Sequence, residues 1–360
     1  MLGLKKIDIY IIKKFLGTYI FSILLIISVS VMFDFNEKVD YFIKNAAPAK
    51  AIIFDYYLNF IPYYANLFSS LFTFISVIFF TSKLADNSEI IAILSSGISF
   101  DRLIRPYMIS AFILALTTFL LNSFIIPPAN ITRIDFQNKY WKNKKVDYAS
   151  NIQFEIEPGL IAFFDSYNAD TKKGNRFSLD RFKGKELVSR LTAKSIVYDS
   201  AYSWTINNYM IRDFIGMKEE IREGEKLDTI LRVIPSDFLI SPDDSEQMST
   251  PALRKYIDRQ KQRGMGNIQS FEIEYHKRFA MSFAAFILTI IGASLSSRKI
   301  KGGMGFNIGM GLLLSFSYIL FMQITSSFAI SGTVSPFIAV WIPNILYSFI
   351  AAYLYTKAPR

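Results

Sequence analysis

The sequence predicts an α-helical integral membrane protein with six transmembrane helices, arranged as three plus three around an inserted β-rich domain. Three observations support this fold class. Hydrophobic residues make up 51% of the 360-residue chain, which is high for a globular protein in water. Long uncharged runs lie in both halves of the chain. The segment between them has short, strand-like patterns.

Uncharged runs define the spans, because about 20 consecutive apolar residues are needed to cross a bilayer as a helix. The runs are Phe15–Phe33, Tyr56–Ser82, Pro106–Thr132, Phe279–Ser297 and Gly302–Thr356. The last run has 55 residues. A short turn at Ser331–Pro336 divides it into two spans, which makes six in total. We interpret the first run as a retained anchor, since no small-residue cleavage site follows it.

The distribution of lysine and arginine predicts the orientation of the spans. The N-terminus, the turn after the fourth span and the C-terminal tail each carry net positive charge, while residues 83–105 contain three basic and three acidic residues. Positive charge favours the cytoplasmic side, and six spans place all four segments together. Both termini are therefore predicted to be cytoplasmic, with the insert on the opposite side. The insert is nearly balanced in charge, so the net charge of +10 reflects topology and disfavours binding to nucleic acid.

The predicted domains are residues 1–132 with the first three spans, residues 133–275 as the insert, and residues 276–360 with the last three spans. In the insert, "GLIAFFDSY" and "LTAKSIVYDSAYSWTINNYMIRDF" read as short strands interrupted by turn-forming pairs. Such spacing is typical of a sandwich or a half-open barrel. A helical pattern from Pro251 to Gly264 ends the insert.

Residue patterns of common enzymes are missing from the sequence. The chain has no cysteine, and no zinc-protease, serine-hydrolase or ATP-binding motif occurs in it. The single histidine, His276, is either a metal ligand or proton carrier, or an interfacial residue; we favour the second. The middles of the spans carry essentially no charge, which disfavours proton-coupled transport of a small solute. We expect no enzymatic activity, metal or bound cofactor, so a separate ATPase chain would use any ATP and Mg²⁺.

A short amphipathic helix is predicted at about residues 87–97, between the second and third spans. Asn87 or Ser88 can cap it, Glu89 suits its N-terminal dipole, and Gly97 suits a left-handed stop. Its apolar face consists of Ile90, Ile91, Ile93 and Leu94. The helix lies either on lipid headgroups or in a groove of a partner protein. Its acidic charge argues against lipid, because membrane-surface helices prefer lysine and arginine.

Gly305 and Gly309 form a GxxxG pattern at the start of the fifth span. This pattern permits close approach of two helices, so both glycines are candidate helix-packing positions. The alternative is a helix that slides or pivots against its neighbour.

Several separated motifs resemble one protein family. They are "NSEIIAILSSGIS" followed by "RPYMISAFILALTTFLLNSFIIPPAN", the opening "IDIYIIKKFL" and the closing "VSPFIAVWIPNILYSFIAAYLY". All are similar to segments of the LptF/LptG lipopolysaccharide-export permeases, and the opening leans towards LptG. The order of three spans, β-rich insert and three spans extends the resemblance to essentially the whole chain.

The resemblance implies a permease subunit of an ABC-type exporter in the inner membrane of a Gram-negative bacterium. Such a subunit extracts lipopolysaccharide and passes it through a periplasmic β-jellyroll to a bridge. The implied partners are an LptB-type ATPase dimer, a second LptF/LptG-type permease and LptC/LptA-type bridge proteins. Another ABC-type lipid or lipoprotein exporter subunit and a membrane-anchored β-domain scaffold are the alternatives.

The resemblance also implies two groups of site residues. Those that couple to the ATPase would be Ser88, Glu89, Ile93 and Gly97. The first and fifth spans would line the lipid cavity and its gate, with contacts from Phe33, Lys38, Phe316, Tyr318 and Phe321. Some members carry a basic residue near the outer end of the first span, where this chain has Asp34 and, one turn later, Lys38. This departure leaves the phosphate-binding residue open.

Overall fold

The fold is seen in a computed structural model that describes residues 4–142, 148–216, 218–238, 242–262, 268–298 and 303–358. Contacts divide the chain into two units. The first comprises Met1–Trp141, Glu246–Pro251 and Gln269–Arg360, and the second comprises Lys142–Ser245 and Ala252–Ile268. The first unit is helical, whereas the second contains a β-sheet and most of one helix.

The helices follow the chain in regular order. They are α1 (Lys6–Lys44), α2 (Ala49–Ala51), α3 (Leu58–Leu67), α4 (Ser69–Asp86), α5 (Glu89–Ser95), α6 (Phe100–Leu120), α7 (Ile126–Gln137), α8 (Thr250–Gln262), α9 (Gln269–Ser296), α10 (Gly303–Ile330) and α11 (Pro336–Thr356). Wide π-helical turns occur at Ile52–Tyr57, Leu121–Ile125 and Asn138–Lys142. The last two turns continue α6 and α7 as one helical rod. Gly264, the predicted end of the helix here called α8, lies outside the described residues.

Six helical segments in the described residues are long and apolar enough to cross a membrane. They are Lys6–Lys44, Ser69–Asp86, Phe100–Trp141, Gln269–Ser296, Met304–Ile330 and Pro336–Thr356. Helices satisfy their own backbone hydrogen bonds, which lipid cannot do for them. The first segment, α1, has 39 residues and is about 58 Å long at 1.5 Å per residue. It therefore extends well beyond a hydrocarbon core of about 30 Å.

The second predicted span, Tyr56–Ser82, is divided between two helices. α3 contains Pro62, which lacks a backbone donor, and the regular helix is interrupted at Phe68 before α4 begins. Of these two helices, α4 is the one with the length and hydropathy of a span.

The core of the helical unit is built around α9, which contacts α4, α6, α10 and α11. Its buried residues Ala280, Ala284, Leu288 and Ile291 recur every three or four positions, as one face of a helix requires. By contrast, α1 and α10 leave long rows of large apolar side chains exposed. These uncovered rows are compatible with lipid or with another membrane helix.

The sheet has six antiparallel strands, and each one pairs with its neighbours in sequence. The strands are β1 (Tyr148–Glu157), β2 (Leu160–Asn168), β3 (Lys173–Lys183), β4 (Glu186–Ser200), β5 (Ser203–Ile215) and β6 (Lys218–Ile230). The described residues therefore form one open meander. The predicted fold class, a helical membrane protein with six spans and an inserted β domain, is confirmed.

The core of the β unit is aromatic. Trp204 is fully buried, and its Nε1 donates to the carbonyl oxygen of Val233 at 3.0 Å. Phe164 lies opposite Phe177 in the register of β2 and β3 and packs against Phe238, with ring centroids 5.2 Å apart. The neighbouring Gly174 must be small, since a Cβ there would lie 2.7 Å from the Phe164 ring.

Ion pairs between strands cover the exposed parts of the sheet. They are Arg190–Asp180, Arg212–Glu219 and Arg222–Asp213. Hydrogen bonding from Ser189 and from Arg222 holds the pKa of Asp213 below its usual value. Since charged residues on adjacent strands discourage pairing with foreign strands, this pattern suits a sheet that faces water.

Candidate coupling and lipid-contact sites

The predicted amphipathic helix is present as α5, with Ser88 at its N-cap position. Gly97 has a φ of 86°, which confirms the predicted left-handed stop. Of the two predicted caps, Asn87 and Ser88, the second occupies the N-cap position, but it makes no side-chain cap. Its backbone is left-handed, with a φ of 59°. Asn87 instead donates from Nδ2 to Oε1 of Glu89 at 3.2 Å.

Glu89 is held by two donors from its own chain. Besides Asn87, the hydroxyl of Tyr10 on α1 donates to Oε2 of Glu89 at 2.9 Å. The carboxylate is therefore oriented before any partner protein approaches. It remains partly exposed, so a cation from outside the chain can still reach it.

The apolar face of α5 is divided between the interior and the surface. Ile90 is 1% exposed and belongs to a cluster with Ile11, Leu84 and Phe100. Ile91 on the other side is 54% exposed, and Ile93 is half-buried. The candidates Glu89 and Ile93 thus lie on one short helix, with Ser88 and Gly97 at its two ends, and this helix presents both a carboxylate and an apolar side chain to the surface.

The five lipid-contact candidates fall into different environments. Phe33 on α1 and Phe316 on α10 are 72% and 54% exposed, while Phe321 is half-buried. Tyr318 is buried, and its hydroxyl donates to Oδ1 of Asn344 on α11 at 2.8 Å. The structure therefore places Tyr318 inside the helical unit, away from the exposed face of α10.

The burial pattern of α10 explains this placement. Its interior face comprises Asn307, Gly311, Ser315, Tyr318, Met322, Thr325 and Ala329, which recur at helical spacing. Phe316 lies on the opposite face. The inward face is mostly small and polar, as helix interfaces in membranes usually are, whereas the outward face carries large apolar side chains.

Lys38 is bound within its own chain. Its ammonium group pairs with Asp34, and the hydroxyls of Tyr56 and Tyr57 also donate to that carboxylate at 3.1 and 3.2 Å. The same ammonium lies 5.2 Å from the ring centroid of Trp141. Lys38 is therefore part of a nearly neutral polar and aromatic cluster.

The GxxxG glycines are exposed. A Cβ built at Gly305 or Gly309 would meet no atom of another described helix within 4 Å, so neither is a packing position between the helices described. Neighbouring helices instead approach each other closely at two other glycines. A Cβ at Gly292 would lie 2.9 Å from Val77, and one at Gly311 would lie 2.3 Å from Ile78. Gly311 faces inward because it is two residues beyond Gly309, on the opposite side of α10.

Replacing Gly311 with alanine is expected to lower the free energy of unfolding by about 1–3 kcal/mol, the usual cost of overpacking a core. The new methyl group would overlap Ile78, which is itself fully buried. Thermal unfolding of the purified chain in mild detergent measures the effect. Gly309→Ala is the matched control and should leave stability unchanged; equal loss for both variants would contradict the packing assignment.

His276 lies among aromatic rings. Its ring centroid is 5.2 Å from those of Tyr275 and Phe337. In the part of the chain that the structure describes, no group of three or more His, Asp or Glu residues could hold a metal ion.

A buried arginine connects the segment Glu246–Pro251 to α9. Arg278 donates from Nη1 to the carbonyl oxygen of Met248 at 2.9 Å and to Oγ1 of Thr250 at 3.0 Å. Its Nε donates to Oε1 of Glu274 at 3.0 Å. No motif in the sequence marks Arg278; its one signal is that it is the charged residue directly before the fourth uncharged run.

The geometry can be compared with known families. A comparison with curated proteins finds no match. The family model described as "Lipopolysaccharide export system permease LptF/LptG" matches residues 9–357, which include the sheet and nearly all of the six spans. This match confirms the resemblance seen in the separated motifs. The chain therefore belongs to the LptF/LptG family of lipopolysaccharide export permeases, and it is a multi-pass protein of the inner membrane.

Proposed function

We propose that this chain is the permease subunit that takes lipopolysaccharide from the inner membrane and passes it to a periplasmic bridge, with energy from a separate ATPase dimer. The observation that carries the proposal is the family match over residues 9–357 together with the surface helix α5. This helix offers Glu89 and Ile91 for docking of the ATPase. A second permease of the same family and LptC/LptA-type bridge proteins complete the proposed assembly.

The proposed sidedness follows from the spans. An even number of spans puts the N-terminus, α5 and the C-terminus on one side, where lysine and arginine are in excess. Since positive charge favours the cytoplasm, we assign α5 to the cytoplasm and the β unit to the periplasm. This arrangement gives a cytoplasmic ATPase direct access to α5.

The proposed lipid path uses the uncovered faces of the helical unit. Phe33 on α1 and Phe316 on α10 belong to large exposed apolar rows, which suit the acyl chains of lipopolysaccharide. They also suit a second permease, so the two subunits would enclose the lipid between them. Since Tyr318 is buried in this chain, a lipid contact there would require α10 to move relative to α11.

The β unit offers a second place for the same lipid. One open hollow of about 830 Å³ is lined by Phe163, Tyr209 and Met210, and its two cations are balanced by two glutamates. The apolar side chains suit the acyl chains of an amphiphile. This lining supports a role of the β unit in handing over the lipid.

Charge reversal at Glu89 tests the docking surface. With Glu89→Arg, we expect at least a tenfold drop in the amount of ATPase that co-purifies in mild detergent, because a like charge at an interface costs several kcal/mol. The second permease should still co-purify, since the change lies far from the lipid-facing rows.

The matched control for this test is Asp86→Arg, the same reversal at an exposed residue of the preceding helix. It should leave the amount of ATPase within about twofold of wild type. Equal ATPase recovery with Glu89→Arg would contradict docking through α5. A wild-type chain that recovers neither an ATPase nor a second permease would contradict the proposed function.

A further inference from the structure

The N-terminal turns of α1 hold both ends of the segment that contains α5. At one end, Tyr10 donates to Glu89 at 2.9 Å. At the other end, just after Gly97, Arg102 forms two parallel hydrogen bonds with Asp8. Its Nη1 and Nη2 lie 2.7 and 2.6 Å from the two carboxylate oxygens of Asp8. We call residues 88–99 the coupling segment; its beginning and the helix that follows it are both bonded to α1.

Several contacts hold the Asp8–Arg102 pair in a fixed geometry. Asp8 is 2% exposed, and its Oδ2 also accepts the backbone N–H of Lys5 at 2.8 Å. Bidentate arginine–carboxylate pairs fix both distance and orientation, which a single hydrogen bond does not. Arg102 is in turn oriented by the start of α6, where its backbone N–H donates to the Ser99 hydroxyl at 3.3 Å.

The sequence context of Asp8 is also unusual. It is the only acidic residue among the first 33, and Lys5, Lys6, Lys13 and Lys14 surround it. For membrane orientation alone, an acid at this position has no use, since lysine and arginine set the orientation. The pair is only partly buried, since the Arg102 side chain is 25% exposed, and ion pairs that water can reach add little to stability. The main effect of the pair is therefore to fix the position of α6 along α1.

Apolar packing fills the space between these two polar contacts. Ile11 of α1, Ile90 of α5 and Leu103 of α6 are all buried in one cluster. A helix of seven residues such as α5 has little stability of its own, so it depends on this packing and on its bonds to α1. The coupling segment and the first turns of α1 consequently move as one body.

We infer that Asp8 and Arg102 are positioning residues that transmit displacement of the coupling segment to the first span. The inference rests on the proposed function, since it requires an ATPase that moves α5. α1 has no proline and is helical from Lys6 to Lys44. Phe33 therefore lies about 37 Å along the same rod from Asp8, at 1.5 Å per residue. A shift of the coupling segment thus reaches the lipid-facing part of α1 along the helix itself, which also packs against α4 and α6 on the way.

The test uses the complete complex of this chain with its ATPase and second permease in proteoliposomes that contain lipopolysaccharide. The variants are Asp8→Asn, Arg102→Gln and the exchanged pair Asp8→Arg with Arg102→Asp. Arg105→Gln is the matched control, because Arg105 is an exposed arginine on the same helix. The chain has no cysteine, so Phe33→Cys carries a single spin label once reactive cysteines are removed from the partners.

For the two single variants, we expect ATPase recovery and ATP hydrolysis within about twofold of wild type. The lipopolysaccharide released per ATP should fall at least about tenfold, and the nucleotide-dependent change of the label at residue 33 should be lost. The exchanged pair should recover at least half of both responses. Arg105→Gln should behave as wild type.

Two results would overturn the inference. The first is single variants that keep the wild-type yield of lipid per ATP and the wild-type label response. The second is single variants in which ATPase recovery falls as much as lipid release, since the pair would then serve folding or docking only. Failure of the proposed function is a separate outcome, because wild type itself would then show no ATPase-driven release of lipopolysaccharide.

Discussion

Replacing Arg278 with methionine is expected to lower the free energy of unfolding of the helical unit by about 3 kcal/mol, the cost of leaving the partners of a buried ion unpaired. Arg278 is 2% exposed. Its loss removes the donors to Glu274, Met248 and Thr250. Thr250 in turn donates to the hydroxyl of Ser123 at 3.0 Å, so the disturbance reaches the π-helical turn that follows α6.

Thermal unfolding of the purified chain in mild detergent measures this effect. Lys277→Met removes the same charge from the adjacent, less buried position and should cost less than about 1 kcal/mol, as expected near a surface. Adding Glu274→Gln to Arg278→Met should restore part of the loss, because the unpaired carboxylate is then neutral. Similar stability of the Arg278 and Lys277 variants would show that the network does not hold the segment Glu246–Pro251 in place.

Replacing Trp204 with alanine should destabilise the β unit by about 3–5 kcal/mol, the range for truncating a large buried aromatic residue. The indole is fully buried and packs against the rings of Phe164, Tyr167 and Tyr198. Its Nε1–H also satisfies the carbonyl of Val233, which lies beyond the last strand. Truncation therefore removes apolar contacts and leaves a buried acceptor without its donor.

Hydrogen exchange followed by mass spectrometry measures this destabilisation of the β unit in the intact chain. Peptides from β2 to β5 should lose protection, while those from the spans keep it. Ile230→Ala is the control, since Ile230 ends the edge strand and is 79% exposed. Unchanged protection of the strands in Trp204→Ala would mean that the sheet does not depend on its aromatic core.

Some features were readable from the sequence because they follow from local chemistry. Uncharged runs mark the spans, since charge in a lipid core is costly. Gly97 was identified as a helix stop because glycine tolerates a positive φ. The β-rich runs of the insert, bounded by turn-forming residues, indicate strands because β-branched and aromatic side chains favour extended backbone.

Other features depend on contacts between distant residues and had no local signal. Asp8 and Arg102 are 94 positions apart, and nothing in either neighbourhood indicates the other. In α10, by contrast, the inward face is marked by a row of small and polar residues that includes Gly311, and not by the GxxxG pattern of Gly305 and Gly309. The resemblance implies a lipid contact for Tyr318 because it places the whole fifth span in the lipid path, whereas its hydroxyl has a partner in Asn344 on the next helix.

The meander order of the sheet also bears on how the chain is made. All five strand pairings join neighbours in sequence, and the aromatic core of the unit draws its buried residues from 152–238. Contacts of short sequence separation form early and quickly. The sheet can therefore pair its strands once residues 148–238 are free of the ribosome and of the translocation machinery, since no later part of the chain contributes a strand among the described residues. The β unit can thus form before α9 to α11 are inserted.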